Sequence, residues 1–412
     1  MADAPVSPQL PRWGIAPIVA GVLLFAFGLF KAFDTQSEPD LFIYRLGAEF
    51  LLRHENPYDV AKVRAAVTVQ FPDGDPKHDS FVNNCGYFLP PAATLLYLPF
   101  AILPWVGAKV AWAVVLGFAG YAIARVPELL CSAGAPPPAF LFAVAVPFVL
   151  VVNPLLLAIV GVGQVTPVCV ACVVAGLFAF ERKKPSLAAI LWVIPFVKPH
   201  VALPLIPLAY FLGGWRPTLL LVALVGGLNL VGAWAVGGSP LFLREYLDFL
   251  PQAREAVLYN RAAENSALTS WNRLLFALGG PLVELTAVTT VAGYLVWFGL
   301  VLGRCALANV TPSATWACAA AAAGAMVCSQ VIVSEGLILV IAVPWLRDLH
   351  AGGWKLRCWL GVALLLVHPV AIAVSLQTDP EIHHPLAVLL FALLVLTGPL
   401  TLKSPAQSAG AM

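Results

Sequence analysis

The run GIAPIVAGVLLFAFGLFKAF, from Gly14 to Phe33, carries no charge except Lys31 near its end. A helix needs about 20 mostly apolar residues to cross the ~30 Å hydrocarbon core of a bilayer, and this run supplies them. Arg12 precedes it in the manner of a secretory leader. The run is nevertheless too long for a leader's apolar region and has no small-residue cleavage site, so it reads as a first transmembrane helix that stays.

Working outward, the whole chain has this character. Of its 412 residues 60% are hydrophobic and only 11% are charged, with a mean hydropathy of +0.89. A soluble domain carries roughly a quarter charged residues, so a water-facing surface cannot be built from this composition. The net charge of +2 gives no sign of a nucleic-acid partner. The eight cysteines are scattered, mostly in apolar runs, and Cys169 with Cys172 lacks a second ligand pair. Neither a disulfide framework nor a zinc site follows.

Apolar segments lie near 14–33, 105–124, 138–153, 165–181, 186–197, 199–213, 217–236, 281–303, 313–331, 335–347, 358–376 and 385–402. The expected fold is an all-α polytopic bundle of about 12 transmembrane helices, spanning 14–402, with short cytoplasmic tails at 1–13 and 403–412. Lys and Arg collect in cytoplasmic loops. With the N-terminus inside, the inner connections hold Arg12, Arg125, Arg182, Lys183, Lys184, Arg216, Arg304, Arg347, Lys355, Arg357 and Lys403 against only Asp3, Glu128, Glu181 and Asp348. The same parity puts Cys85 outside and Cys131, Cys305 and Cys358 inside. The stretch Phe88–Pro104 is apolar but broken by Pro90, Pro91, Pro99 and Pro104. It reads as a helix lying in or dipping into the outer leaflet, because a full span there would move the Arg182-Lys183-Lys184 cluster outside.

Two longer outer loops, about 34–87 and 237–280, are where chemistry is expected. In the first, Leu41, Tyr44, Ala48, Leu51 and Leu52 share a helical face opposite Arg45, Glu49 and Arg53, the pattern of an interfacial helix. The second has similar patterning around Phe242–Phe249. No internal repeat and no glycine-rich phosphate loop is visible.

Four blocks carry a resemblance. DLFIYRLGAEFLLRHENPYDV (Asp40–Val60), GYFLPPAATLLYLPFAILP (Gly86–Pro104), NPLLLAIVGVGQVTP (Asn153–Pro167) and FVKPHVALPLIPL (Phe196–Leu208) stand in the order seen in glycosyltransferase family 87. Together they cover about residues 20–240; beyond them the chain resembles the family only in its helix pattern. The resemblance implies a GT-C-like bundle in the bacterial cytoplasmic membrane with its active site facing outside. It implies an inverting enzyme that moves a sugar, mannose or arabinofuranose, from a polyprenyl-phosphate donor to a glycolipid or glycan acceptor. No cofactor beyond that lipid-linked donor, no metal and no nucleic-acid partner is expected; Asp73, Asp75 and Asp79 sit in a Pro/Gly/His loop and read as solvated acids.

Displacing a phosphate with a hydroxyl calls for a carboxylate to take the proton and a cation to meet the leaving charge. Asp40 is the candidate base and Asp34 the runner-up. The competing account of Asp40 is N-cap of a helix starting at Leu41. Lys198 interrupts an apolar run, a costly position unless it lines a polar cavity or snorkels, and is the first candidate for the donor phosphate, with His200 and Arg45 beside it. Gln164, Tyr44 and Tyr58 are candidates for sugar or acceptor contacts. Glu335, in SQVIVSEG (Ser329–Gly336), stands where the family often has a histidine, so it is a candidate acceptor contact or second carboxylate; the departure also fits an altered donor or lost activity. Tyr87, Phe88 and Tyr97 read as interface anchors. The alternatives are a secondary transporter, for which broken helices and a midplane Lys198 speak but no repeat does, and a non-catalytic membrane protein of envelope assembly.

Overall fold

The computed structural model describes residues 15–34, 38–71, 85–130, 154–256, 272, 275, 278–279, 287–329, 333–375 and 383–401. Every regular element among them is helical. In chain order the α-helices are α1 (Ile15–Ala32), α2 (Pro39–Leu52), α3 (Val60–Gln70), α4 (Pro91–Ala101), α5 (Trp105–Ala124), α6 (Pro154–Gly161), α7 (Thr166–Glu181), α8 (Pro185–Leu191), α9 (Pro199–Ala202), α10 (Leu205–Gly213), α11 (Trp215–Gly237), α12 (Phe242–Ala256), α13 (Ala287–Ala308), α14 (Ala314–Cys328), α15 (Val343–Ala351), α16 (Lys355–Ser375) and α17 (His383–Thr397). The expected segment 138–153 lies outside the described residues.

Among the described residues four helices are long and apolar enough to cross a membrane: Ile15–Ala32, Trp105–Glu128, Trp215–Gly237 and Val288–Ala308. Their outward faces are apolar, with Ile18, Phe118, Leu219 and Leu295 exposed, as suits contact with lipid. The remaining apolar helices are shorter, and prolines account for several of the breaks. The 186–213 stretch, expected as two short helices, is divided further: α8 gives way to a 3-10 turn at Ile194–Val197, then α9 and α10. Pro195, Pro199 and Pro204 each remove a backbone donor, and Lys198, ahead of Pro199, leaves the helical region at φ −123° and ψ 75°. The segment expected at 335–347 begins as a 3-10 stretch, Val333–Ala342, before α15. Helix α4 is 11 residues, about 16 Å, far too short for a crossing, in keeping with a dipping element.

α1 packs along α5, α5 against α7, α7 against α8, and α2 against α4, which in turn meets α11. One end of the bundle is tied by basic residues. Arg347, buried in α15, donates to the carbonyls of Pro127, Leu129 and Leu130 beyond α5, while Arg304 and Arg357 donate to Gly398 and Thr397 at the end of α17. Sequence positions read as inner connections thus share one end, and the 34–60 segment lies at the end of α1 opposite to them.

α2 keeps most of the expected pattern, with Leu41, Tyr44, Ala48 and Leu51 buried and Arg53 exposed, but it is more enclosed than expected. It is buried almost all round, with Leu41, Phe42, Ile43, Leu46, Ala48 and Phe50 inside, whereas Leu52, on the face expected to be apolar, is 51% exposed. α4 covers one side, and Arg45, Glu49 and Arg53 pair with one another, Arg45 to Glu49 at 2.6 Å and Arg53 to Glu49 at 3.6 Å.

Candidate active site

The site begins where two helix ends meet. A helix start leaves N–H groups unpaired and a helix end leaves carbonyls unpaired. Here they satisfy each other: the Glu38 N–H donates to Gly161 O at 3.0 Å and the Asp40 N–H to Val162 O at 2.9 Å, so the start of α2 is bonded to the end of α6. The turn that follows needs glycine. Gly163 has φ +76°, and a Cβ there would lie 2.7 Å from the Leu41 Cβ. That close approach sets Gln164 directly over Asp40.

Asp40 is not an N-cap. Helix α2 starts at Pro39, its cap position is Glu38 in the left-handed region (φ 63°), and Asp40 sits inside the first turn. Its carboxylate is spent elsewhere: it accepts a short hydrogen bond from the Gln164 amide. Burial pushes its pKa up from 3.8 to about 6, against the opposing pull of Lys198 and of the Gln164 hydrogen bond.

The other end of the same amide holds Lys198. The ammonium donates to Gln164 Oε1 at 2.9 Å and to Thr166 Oγ1 at 3.1 Å, and the residue is 8% exposed. Carboxylate and ammonium are therefore joined through one side-chain amide rather than paired directly. Lys198 stands between the 3-10 turn and α9, at φ −123°, where the flanking prolines interrupt the helix. A narrow cleft of about 20 Å³ opens beside it, lined by Cys169, Val170, Val173, Pro195, Val201 and Leu205 among others, with Thr166 and Lys198 as its polar members. It is an apolar slot with a cation at one end.

The peptide around Lys198 is fixed from behind. Tyr294 of α13 donates to the His200 carbonyl at 2.7 Å, and the buried Ser329 hydroxyl, 2.6 Å from the Tyr294 oxygen, bonds the same carbonyl at 2.5 Å. His200 thus enters the site through its backbone, and its ring is half-buried.

Several expected residues stand apart from this cluster. Arg45 donates to the carbonyls of Phe100 and Leu103 at 3.1 and 2.8 Å, and its guanidinium lies over Trp105. It closes the end of α4 and is not directed at the Asp40–Lys198 pair. Tyr58 donates to Leu89 O at 2.9 Å and its ring packs among Tyr87, Phe242, Tyr246 and Phe249, tying α12 over the 85–90 segment. Tyr44 is buried against Tyr97. Asp34 pairs with Lys31 at 3.2 Å with a side chain 40% exposed, a surface ion pair of small energetic consequence. The Glu335 side chain lies outside the described residues.

Sequence reasoning passed over three groups. Thr166 receives Lys198 directly; its signal was the Thr-Pro step closing the NPLLLAIVGVGQVTP block. Glu38 and Lys109 form a fully buried pair at 3.9 Å on the other side of the 34–40 turn, where Lys109 also donates to Asp34 O at 2.6 Å. Neither Glu38 oxygen has a hydrogen-bond partner, and burial raises this carboxyl from 4.5 to about 7.

The model of glycosyltransferase family 87 matches residues 87–334, well over half of the chain. The matched stretch takes in the Gln164, Thr166 and Lys198 segments and reaches past Ser329, further than the blocks read in the sequence; the Asp40 segment lies ahead of it. No curated protein and no solved structure matches.

Proposed function

The chain belongs to glycosyltransferase family 87, and on that footing we propose that it transfers a sugar, mannose or arabinofuranose, from a polyprenyl-phosphate donor to a glycolipid or glycan acceptor with inversion at the anomeric carbon. The observation that carries this reading is the bridge of one amide between Asp40 and Lys198, with an apolar cleft beside the ammonium. In the proposed reaction the acceptor hydroxyl gives its proton to an Asp40 oxygen as its own oxygen bonds the anomeric carbon. The bond from that carbon to the phosphate oxygen breaks, and the electron pair leaves with the polyprenyl phosphate, whose charge Lys198 meets. A carboxyl near pH 6 is ionised at neutral pH and still basic enough to serve. Thr166 and Gln164 hold Lys198 in place until phosphate takes over their hydrogen bonds.

The active site faces outside in this proposal, at the outer leaflet of the bacterial cytoplasmic membrane, and the helices that the four long spans do not account for complete a bundle of about twelve. The test is transfer by the purified protein in lipid nanodiscs, offered polyprenyl-phosphomannose and polyprenyl-phosphoarabinose with a panel of glycolipid acceptors. Lys198→Met should raise the donor KM at least ten-fold and lower kcat. Transfer from neither donor to any acceptor, with the wild-type protein folded, would favour a transporter or a scaffold.

A further inference from the structure

Four cations at the basic end of the bundle are not neutralised by the fold. Arg182, Lys183 and Lys184 make the turn between α7 and α8, and Arg216 stands in the first turn of α11. All four are exposed, and none has an ion pair or a side-chain hydrogen bond among the described residues. The other arginines of that end are used by the protein: Arg125 pairs with Glu128 at 2.7 Å, Arg347 with Asp348 at 2.6 Å, and Arg304 and Arg357 donate to the carbonyls of Gly398 and Thr397.

The two turns form one patch. Gly213, at the end of α10, is wedged between them: a Cβ there would lie 2.7 Å from both the Phe180 ring and the Pro217 ring. The Lys183 N–H returns to Phe180 O at 2.9 Å and the Lys184 N–H to Ala179 O at 2.8 Å, so the lysines project from a turn folded back on that same phenylalanine. Both guanidinium groups rest on aromatic rings, Arg182 on Phe178 at 5.7 Å and Arg216 on Trp215 at 5.4 Å, contacts that fix the charge and leave its N–H donors to another acceptor. Glu181 is the single acid in these turns, and it is shared with Arg125 and Arg347 as well as Arg182. Beside the patch, α8 packs along α11, and both helices turn apolar side chains outward: Leu187 and Ile190 on α8, Trp215, Leu219 and Val222 on α11.

A cluster of basic side chains at the rim of a lipid-facing apolar surface is matched by a lipid whose headgroup is a net anion; a zwitterionic headgroup brings its own cation and gains less. We propose that this patch is a binding site for one anionic phospholipid, with the headgroup phosphate between the 182–184 turn and Arg216 and the acyl chains along the outward sides of α8 and α11. The chains lie on an open helical face, level with the surrounding bilayer, and not in an enclosed slot that would single out a polyprenyl carrier. The site is at the end of the bundle away from Asp40, and it requires nothing of the transferase reading.

Native mass spectrometry of the full chain, titrated with phosphatidylglycerol and with phosphatidylcholine of the same acyl chains, tests it. Wild type should retain one phosphatidylglycerol at least ten-fold more tightly than phosphatidylcholine. Lys184→Gln with Arg216→Gln, one charge from each turn, should weaken phosphatidylglycerol about 25-fold, and Arg182→Gln alone about five-fold. Removing two exposed charges elsewhere, Arg53→Gln with Lys355→Gln, should leave that affinity unchanged. Equal weakening by the two double variants would mean diffuse attraction between a basic surface and an anionic one and would overturn the site, as would equal affinity for the two phospholipids. Displacement of phosphatidylglycerol by millimolar inorganic phosphate would mark a free-phosphate site, and displacement by an equimolar polyprenyl phosphate a site for the carrier lipid; either result overturns the assignment.

Discussion

Replacing Asp40 by Asn should cost the enzyme its rate and make the protein more stable. The carboxyl has its pKa raised from 3.8 to about 6, chiefly by burial. Each unit corresponds to 1.36 kcal/mol, so holding the ionised form in the fold costs about 3 kcal/mol relative to a protonated or neutral group. The sign follows from proton counts. Below about pH 4 the carboxyl is protonated in both folded and unfolded chains and contributes nothing. Between about pH 4 and 6 the native protein keeps a proton that the unfolded chain has released, so stability declines as pH rises. Above about 6 the full penalty applies. Asn is close to isosteric, keeps an oxygen for the Gln164 amide and has no charge to bury. At pH 8 the Asp40→Asn protein should therefore melt about 3 °C above wild type, at roughly 1 °C per kcal/mol for a chain of 412 residues, and the gap should close toward pH 4. Transfer should meanwhile fall by about 10²- to 10⁴-fold, the usual contribution of a positioned general base. Thermal scans in nanodiscs from pH 4.5 to 8, with transfer assays at the same points, read both. Parallel melting of the two proteins at every pH would refute the burial argument, and undiminished transfer would refute the base assignment.

Gln164→Ala removes a hydrogen bond that favours the ionised form of Asp40, so the acid limb of the wild-type rate profile, expected near pH 6, should move to higher pH as kcat at pH 6 falls; a limb that stays in place would take Gln164 out of the tuning of the base. For sidedness, Cys85 is a poor reporter, since it is buried and burial pushes its thiol up to about 11. Cysteines introduced at Arg53, whose side chain is 61% exposed, and at the exposed Lys355 are better placed. An impermeant maleimide on intact cells should label Arg53→Cys and miss Lys355→Cys; the reverse pattern would invert the membrane orientation.

How far the site could be read from the sequence depended on which signals were local. The polar setting of Lys198 was legible because an amine in an apolar stretch between prolines has few inexpensive places to go, whereas Gln164 was read only as a sugar contact, and its bridge to Asp40 depends on the close approach of the Gly163 turn to Leu41, which the sequence does not show. Arg45 and Tyr58 misled for a common reason. Both are polar residues close to Asp40 in the chain, yet both are used on backbone carbonyls, Arg45 on those of Phe100 and Leu103 where α4 ends ahead of Pro104, and Tyr58 on Leu89 ahead of Pro90. A carbonyl stranded by a proline break leaves no mark on the sequence of the residue that serves it. The periodicity of α2 was legible in its apolar face, where Leu41, Tyr44, Ala48 and Leu51 are buried, whereas the pairing of Arg45 with Glu49, which lets those two charges be largely covered, was not.

The same accounting explains why the base sits where it does. A carboxylate at the first turn of a helix would ordinarily spend itself on the helix's own N–H groups. The Asp40 N–H is instead taken by Val162 O and that of Glu38 by Gly161 O, so the end of α6 performs the capping. The Asp40 side chain is thereby released to face Gln164, and it gains the helix N-terminus as a partial positive charge that favours its ionised form. Its setting combines strong desolvation with several weak opposing forces, which leaves its proton affinity responsive to the neighbouring cation. On the proposed reading, a donor phosphate that neutralises Lys198 removes one of the influences that lower the Asp40 pKa, and the carboxylate becomes a stronger base. On that reading donor binding and base strength are coupled through a single side-chain amide, and the coupling favours proton abstraction when the sugar to be transferred is already in place.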